Sequence, residues 1–258
     1  MKTATYLYCL VATEKRPKLL GAPAGLPGTA ELRALEAGEA LWLIAAHAPL
    51  DRYGEKAIEE GLRDLTWVSG CAVPHEAVVE HFARIGTVVP MKLFTLFNSD
   101  GRALDHVKQD RKRIDRLVER LEGREEWGVR CILDELTALT RARSEAAREA
   151  GGSPGAAFLL RKKKEADAAR ELLQRARDRA AALFERIAAK ADDARRRAPP
   201  PGEVGKRVLL DAAFLVRRGK VKAFKTALER EAKKLEPLGY QVALTGPWPP
   251  YNFVAEAS

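Results

Sequence analysis

The sequence predicts an α+β fold with two domains. Apolar strand-like runs alternate with amphipathic helical stretches along the 258 residues, and both halves of the chain contain both kinds. The length exceeds that of most single domains, and a hydrophobic content of 46% is sufficient for a buried core. We therefore predict an N-terminal domain over residues 1–123, a C-terminal domain over residues 124–245, and a tail over residues 246–258 that packs back on the body.

The first domain is expected to contain a sheet whose strands are rich in β-branched and aromatic residues. These strands are Thr5–Ala12, Thr29–Glu36, Ala40–Ala48 and Thr87–Phe97. The second and third strands are predicted to form a hairpin, because Gly38 and Glu39 mark a turn between them. The fourth strand is the most apolar run of this half and is expected at the centre of the sheet.

The remainder of the first domain has helical periodicity. A helix is predicted over Tyr53–Ser69, and its apolar side carries Ile58, Leu62 and Leu65. A second helix is expected to begin at Pro74, because proline is favoured in the first turn of a helix, and Gly86 ends it. A third helix is predicted over residues 102–121.

The second domain is predicted to be a small sheet with a long helix and a helical hairpin. Its expected elements are a strand over 126–133, a helix over 134–150, the long helix over 156–197, a strand over 208–216, a helix over 221–235 and a strand over 239–244. Small and apolar residues recur along the long helix at steps of three and four, from Ala166 to Ala194. This seam predicts close approach of another helix.

The tail, Gly246-Pro247-Trp248-Pro249-Pro250-Tyr251-Asn252-Phe253, is too rich in proline for a helix or a central strand. A polyproline-II segment repeats about every three residues, which would place Trp248, Tyr251 and Val254 on one face. A stiff segment with three aromatic residues loses little entropy on docking. Two interpretations follow: the tail closes the core of the protein itself, or it forms a groove or ligand for a partner chain.

The net charge of +9 is carried entirely beyond residue 100, because residues 1–100 hold 10 basic and 12 acidic side chains. This bias permits binding to nucleic acid or another acidic partner, but a helical surface of mixed charge gives the same totals. The densest basic run is Arg161-Lys162-Lys163-Lys164. It is interpreted either as a contact for phosphates or an acidic surface, or as the solvated start of the long helix.

No catalytic, cofactor or metal site is predicted. The sequence lacks a nucleophile elbow, a P-loop and a dinucleotide-binding glycine pattern. His75 and His81 are six residues apart and no third ligand completes a metal set, while Cys9, Cys71 and Cys131 are expected as buried free thiols. No signal peptide and no apolar run of about 18 residues is found, so a cytoplasmic protein without a membrane span is expected.

Six stretches follow one another in an order typical of one protein family. They are Tyr6-Leu7-Tyr8, Pro74-His75-Glu76-Ala77-Val78-Val79, Val88-Val89-Pro90-Met91-Lys92-Leu93-Phe94-Thr95-Leu96-Phe97, Glu126-Trp127-Gly128-Val129-Arg130, Phe158-Leu159-Leu160-Arg161-Lys162-Lys163 and Gly246-Pro247-Trp248-Pro249-Pro250-Tyr251-Asn252-Phe253. Together they resemble the gas vesicle GvpL/GvpF family, and the tail motif is the most specific. One departure is Met91-Lys92, where the family is expected to have an arginine followed by a small or aromatic residue.

The resemblance implies an accessory protein of gas vesicle assembly that is not an enzyme, with two α+β domains of which the first is a ferredoxin-like variant. It also implies a location at the gas vesicle in the cytoplasm. The expected partners are the small, very hydrophobic shell protein and other gas vesicle accessory proteins. The residues expected to contact a partner are Trp248, Tyr251, Phe253, Arg161, Lys162 and Lys163.

The alternative is a basic α+β module that binds nucleic acid, because ferredoxin-like sheets also recognise RNA. The RNP signature of basic, glycine and aromatic residues is absent from every predicted strand. Nucleic acid is therefore not expected as a partner. An enzyme is a third interpretation and lacks a catalytic constellation.

Overall fold

The structure is a computed structural model that describes residues 2–141 and 157–254, with the backbone alone for residues 157–169. The chain divides into two compact units. Unit 1 comprises Met1–Arg124 together with Trp248–Ser258, and unit 2 comprises Glu125–Pro247. Each unit contains a sheet and helices, so the predicted α+β class is confirmed.

Unit 1 contains a five-stranded sheet in which β1 is central. The strands are β1 (Thr3–Ala12), β2 (Arg33–Gly38), β3 (Leu41–Pro49), β4 (Thr87–Pro90) and β5 (Leu96–Phe97). The order is β2-β3-β1-β4, with β5 also pairing with β1, and all of these pairs are antiparallel. Residues 4–11 of β1 are all buried, as their continuous apolar sequence predicts. The predicted β2–β3 hairpin is confirmed.

The helices of unit 1 have different bounds from those predicted. They are α1 (Leu50–Tyr53), α2 (Glu55–Gly61), α3 (Leu65–Ala83), α4 (Asp100–Gln109), α5 (Arg111–Leu121) and α9 (Tyr251–Val254). Pro74 lies inside α3. The prediction that a helix begins at Pro74 is therefore wrong. The helix begins earlier because Asp64 caps it, with its carboxylate accepting from the Thr66 amide at 2.8 Å.

The predicted strand over Thr87–Phe97 is interrupted, and β4 is at an edge of the sheet instead of the centre. Residues 91–95 leave the sheet between β4 and β5, and Phe94 has a φ of 64°. The left-handed region disfavours side chains that carry a Cβ. The excursion is held in place by buried partners described below.

Unit 2 contains a four-stranded sheet packed by helices. Its strands are β6 (Arg124–Asp134), β7 (Asp193–Arg196), β8 (Lys206–Arg217) and β9 (Tyr240–Trp248), in the order β7-β8-β6-β9. Its helices are α6, described over residues 135–141, α7 (Ala157–Ala188) and α8 (Val221–Leu235). The α8 prediction is confirmed at both ends. The remainder of the predicted helical hairpin lies outside the described residues.

The ferredoxin-like element order occurs in unit 2. Its order is β6-α6-α7-β7-β8-α8-β9, which follows the βαββαβ order of that motif with two helices in the first connection. In unit 1, the connection over residues 13–32 between β1 and β2 contains no helix. The ferredoxin-like description of the first domain therefore stays a prediction.

The long helix ends at Ala188, nine residues before the predicted end at Arg197, and the chain then forms β7. Ionic contacts hold this strand. The Arg197 guanidinium donates to the buried carboxylate of Asp211 on β8, with Nε to Oδ1 at 3.0 Å. The Arg196 guanidinium lies over the Phe184 ring at 4.2 Å.

The described part of the alanine seam packs into unit 2 itself. Ala176, Ala180, Leu183 and Ile187 are buried in the same cluster as Phe214 of β8. Both the sheet and helix α8 cover these residues, because Phe224 and Leu228 of α8 belong to the same cluster and α8 contacts α7. The close approach of another helix that the seam predicts is therefore made by α8 within unit 2. Ala166 and Ala169 have side chains outside the described residues.

The tail is not a continuous polyproline-II segment. Trp248 ends β9, which is an edge strand and so accommodates Pro247. Tyr251 to Val254 form the short helix α9. The prediction of one aromatic face with a three-residue repeat is wrong, because Trp248 and Tyr251 belong to different kinds of element.

Candidate functional site

A buried polar cluster joins three of the stretches that carry the family resemblance. The Tyr6 hydroxyl donates to His75 Nδ1 at 2.7 Å, and His75 Nε2 donates to the Met91 carbonyl at 3.2 Å. The Tyr6 hydroxyl also accepts from the Phe94 amide at 3.3 Å. These partners assign the Nε2–H tautomer to His75.

The environment keeps these groups uncharged at neutral pH. Burial lowers the pKa of His75 to about 4. The hydrogen bond to the Met91 carbonyl raises the pKa and so opposes the effect of burial only in part. Burial also raises the pKa of Tyr6 far above its ordinary value. The Tyr8 ring stacks on His75 with centroids 5.4 Å apart. A neutral, fully bonded imidazole in such a site has a structural role, because it offers no free nitrogen to a metal or a substrate.

The cluster positions the segment between β4 and β5. Met91 and Phe94 belong to the excursion of the chain out of the sheet; the Met91 carbonyl accepts from His75, and the Phe94 amide donates to the Tyr6 hydroxyl. The Trp67 ring of α3 stacks on Phe94 with centroids 5.2 Å apart. These contacts stabilise the left-handed backbone at Phe94 and fix the segment beside β4.

Beside this segment, unit 1 contains a cavity of about 310 Å³, which we call the motif cavity. Its buried apolar lining comes from Leu10, Val89, Val107, Ile114 and Leu117. Its polar lining comes from Lys92, Thr95, His106, Asp110 and Arg113. Pro90, Met91, Tyr251 and Val254 complete it. Two of the stretches that carry the resemblance, 88–97 and the tail, thus line the same cavity.

The tail is anchored at the motif cavity. Phe253 is fully buried, and the Arg113 guanidinium donates to the Val254 carbonyl at 3.2 Å. The Tyr251 hydroxyl is buried beside the Glu76 carboxylate. Burial, followed by the nearby Glu76 carboxylate, raises the pKa of Tyr251 far above its ordinary value.

The predicted partner residues are placed very differently from one another. Trp248 is 41% exposed, Tyr251 is partly buried and Phe253 is fully buried, so Phe253 can reach a partner only if the tail moves. Arg161, Lys162 and Lys163 lie on the backbone of α7, and their side chains are outside the described residues.

Sequence reasoning missed the walls of the cavity that α4 and α5 provide. Val107, Ile114 and Leu117 recur at helical spacing, which is also the pattern of an ordinary core face. Arg113 holds the tail through the Val254 backbone carbonyl, and nothing in its local sequence distinguishes it from the neighbouring arginines.

The described residues offer no metal centre and no membrane-spanning helix. Among them, no group of three or more histidine, cysteine, aspartate or glutamate side chains is arranged to hold a metal ion. Cys9, Cys71 and Cys131 are buried free thiols, as predicted, and burial raises the pKa of all three. In the same part of the chain, every helix is too short or too polar to cross a bilayer.

Two solved structures share the fold. The crystal structure of the gas vesicle protein GvpF from Anabaena sp. PCC7120 superposes with a TM-score of 0.72 at 16% identity, covering 99% of this chain and 98% of that one. The crystal structure of GvpF from Microcystis aeruginosa gives a TM-score of 0.66 at 14% identity, covering 98% and 99% of the two chains. At these identities the likeness shows the common fold.

Sequence comparison identifies the family. Gas vesicle protein L of Streptomyces sp. (strain CB03234) is 29% identical over 230 residues, which cover 83% of this chain and 80% of that protein. A family model described as gas vesicle synthesis protein GvpL/GvpF matches residues 4–255. Because that match extends over nearly the whole sequence, the chain belongs to the GvpL/GvpF family of gas vesicle proteins.

Proposed function

We propose that this protein is an accessory factor of gas vesicle assembly that binds the small hydrophobic shell protein. The observation that carries the proposal is the family match over residues 4–255. The protein acts by binding and not by catalysis, and it works in the cytoplasm at the growing vesicle. Other gas vesicle accessory proteins are further partners.

The physical need for such a factor is clear. A shell subunit whose apolar face will line a gas space is prone to aggregate before it is incorporated. A partner that covers this face transiently prevents aggregation. The motif cavity supports the proposal, because it combines buried apolar walls with charged residues such as Lys92 and Arg113 at its polar side. An apolar side chain of the shell protein would contact the apolar walls. The polar backbone of the shell protein, or polar groups near that side chain, would contact the charged residues.

The proposal assigns the contact to the exposed part of the tail and the cavity beside it. Trp248 is the exposed aromatic residue of the tail, and Tyr251 lines the cavity. Phe253 is fully buried and anchors the tail in unit 1. It is therefore expected to contribute to partner binding indirectly, by holding Tyr251 in place.

The test is co-purification of the tagged protein with co-expressed shell protein. The double variant Trp248→Ala/Tyr251→Ala is expected to recover at least about tenfold less shell protein, since aromatic anchors dominate binding energy. The matched control is Tyr251→Phe, which keeps the aromatic ring and removes only the hydroxyl group. Thermal unfolding confirms that each variant is folded.

The outcomes separate the function from the surface. Full recovery of shell protein by the folded double variant would show that the tail is the wrong surface. No recovery by the unaltered protein would contradict the proposed function itself. Binding to nucleic acid that weakens steeply as salt rises would favour the alternative function.

A further inference from the structure

Helix α3 exposes an apolar outer face. Leu65 is 81% exposed, Val73 is 69% exposed, and Leu62, which precedes the helix, is 55% exposed. Residues 65–75 contain no aspartate, glutamate, lysine or arginine. The exposed positions between the two apolar residues of the helix are the small or uncharged Thr66, Ser69 and Gly70.

The opposite face of α3 already belongs to the core of unit 1. Its buried residues include Cys71, Val78 and Phe82. Surface helices normally have one apolar face toward the core and a charged face toward solvent, whereas helices that are apolar all round are covered all round. The N-terminal half of α3 departs from this pattern, because neither of its faces is charged.

The surroundings of this face are acidic in a basic protein. Residues 59–64, which directly precede α3, hold three acidic side chains and one basic side chain, Arg63, although the whole chain has a net charge of +9. Glu59 and Glu60 are exposed at the end of α2, and Asp64 is exposed at the start of α3. A partner that matches this surface has an apolar centre and basic side chains at its edges.

We propose that Leu62, Leu65 and Val73 form a docking surface for an apolar helix with basic flanking residues, supplied by the shell protein. This assignment rests on the proposed function and adds a second contact, formed by elements other than the tail. The small residues between Leu65 and Val73 allow the partner helix to approach the backbone of α3 closely. The acidic residues around the face orient the partner and speed its association.

The first test is co-purification of shell protein with the double variant Leu65→Ser/Val73→Ser. We expect at least about fivefold less recovered shell protein, because truncating central apolar contacts costs the most binding energy. The fold is expected to be unaffected, since both side chains are mostly exposed. The matched control is Leu136→Ser, which removes a side chain that is 73% exposed in unit 2.

The second test uses two labelled synthetic helical peptides as probes, both rich in leucine and alanine. One has lysines at its ends and the other has glutamates. The lysine-flanked peptide is expected to bind the unaltered protein several-fold more tightly at low salt, and added salt is expected to reduce this advantage. The variant Glu59→Lys/Glu60→Lys is expected to abolish the preference.

Each outcome has a definite consequence. If the unaltered protein and the Leu65→Ser/Val73→Ser variant recover shell protein equally, the α3 surface is wrong while the proposed function stands. If the unaltered protein recovers none, the proposed function and the named occupant both fail. Equal affinity for the two peptides would contradict the proposal that the acidic residues near the α3 face select a partner with basic flanks.

Discussion

His75 is a buried histidine whose two ring nitrogens both have partners, the Tyr6 hydroxyl and the Met91 carbonyl. Such a side chain stabilises the fold only while it is neutral. A proton on Nδ1 would replace the acceptor that the Tyr6 hydroxyl needs, and it would place a charge in an apolar region. The stability of unit 1 should therefore respond to acid through this residue.

We predict that unfolding becomes easier as the pH falls from about 6.5 to 4. The folded-state pKa of His75, about 4, is below the unfolded value of 6.5, so the unfolded chain binds the proton first. The loss of unfolding free energy reaches about 3 kcal/mol at pH 4 and levels off about one pH unit lower. Urea unfolding at a series of pH values measures it.

The control for this prediction is His75→Gln, which keeps hydrogen-bonding groups but does not titrate. The variant is expected to be less stable at pH 7 and to lack the part of the pH dependence that His75 contributes. Parallel pH profiles for the two proteins would contradict the assignment of a low pKa to His75.

A second prediction at this scale concerns the Tyr6 hydroxyl. Tyr6→Phe removes one group that serves both the Phe94 amide and His75. The expected loss of unfolding free energy is about 1–3 kcal/mol, because buried polar groups are left unpaired. Denaturant unfolding measures it, with Tyr251→Phe as the matched control. That change removes a buried hydroxyl beside the Glu76 carboxylate, and a smaller loss is expected because water can solvate this partly exposed carboxylate.

At the scale of elements, local patterns were sufficient where one element buries one continuous face. Strand β1, the β2–β3 hairpin and helix α8 were predicted because their apolar residues follow a single period. The errors have tertiary causes. Residues 91–95 leave the sheet because Tyr6 and His75 bind them, and β7 replaces the end of the long helix beside Asp211.

In the candidate site, too, local sequence patterns predicted some features, and features that depend on tertiary contacts were missed. The tail and the 88–97 stretch could be selected from the sequence, because their composition is unusual and resembles one family. The cavity that they share could not be predicted, since its remaining walls are ordinary core residues such as Val107 and Leu117. The exposed face of α3 was also missed, because Leu62 and Leu65 were placed on the apolar side of one helix over Tyr53–Ser69, whereas the structure exposes both side chains.

Helix α7 provides a prediction at this scale. Leu183→Ala is expected to destabilise unit 2 by about 2–5 kcal/mol, because the side chain is fully buried against the sheet and its loss leaves a cavity. The matched control is Arg179→Ala, an exposed position one turn earlier, with an expected change within about 0.5 kcal/mol. Denaturant unfolding of the full chain distinguishes them. Equal effects would contradict the orientation of α7.

At the scale of the whole molecule, the tail belongs to unit 1 although unit 2 precedes it in the sequence. Two-state unfolding is not assured for a chain with two compact units. Local measurements are therefore more informative than one midpoint of unfolding.

Phe253→Ala is predicted to loosen unit 1 selectively. Removing a fully buried phenylalanine costs about 3–5 kcal/mol. Strand β4 contacts α9, and Arg113 of α5 binds the Val254 carbonyl. Amide hydrogen exchange is therefore expected to accelerate in β4 and α5 and to stay unchanged in unit 2. Trp248→Ala, at a 41% exposed position, is the control with a smaller expected effect. Uniform acceleration in both units would contradict the assignment of the tail to unit 1.

The position of the tail also has a consequence for synthesis. A ribosome that has made residues 1–124 must still translate all of unit 2 before it reaches Trp248. Throughout that interval the nascent first unit lacks Tyr251, Phe253 and Val254, and its cavity lining faces water. A message that is cut short within unit 2 therefore yields a chain with two defective units, so quality control has a strong signal against incomplete copies.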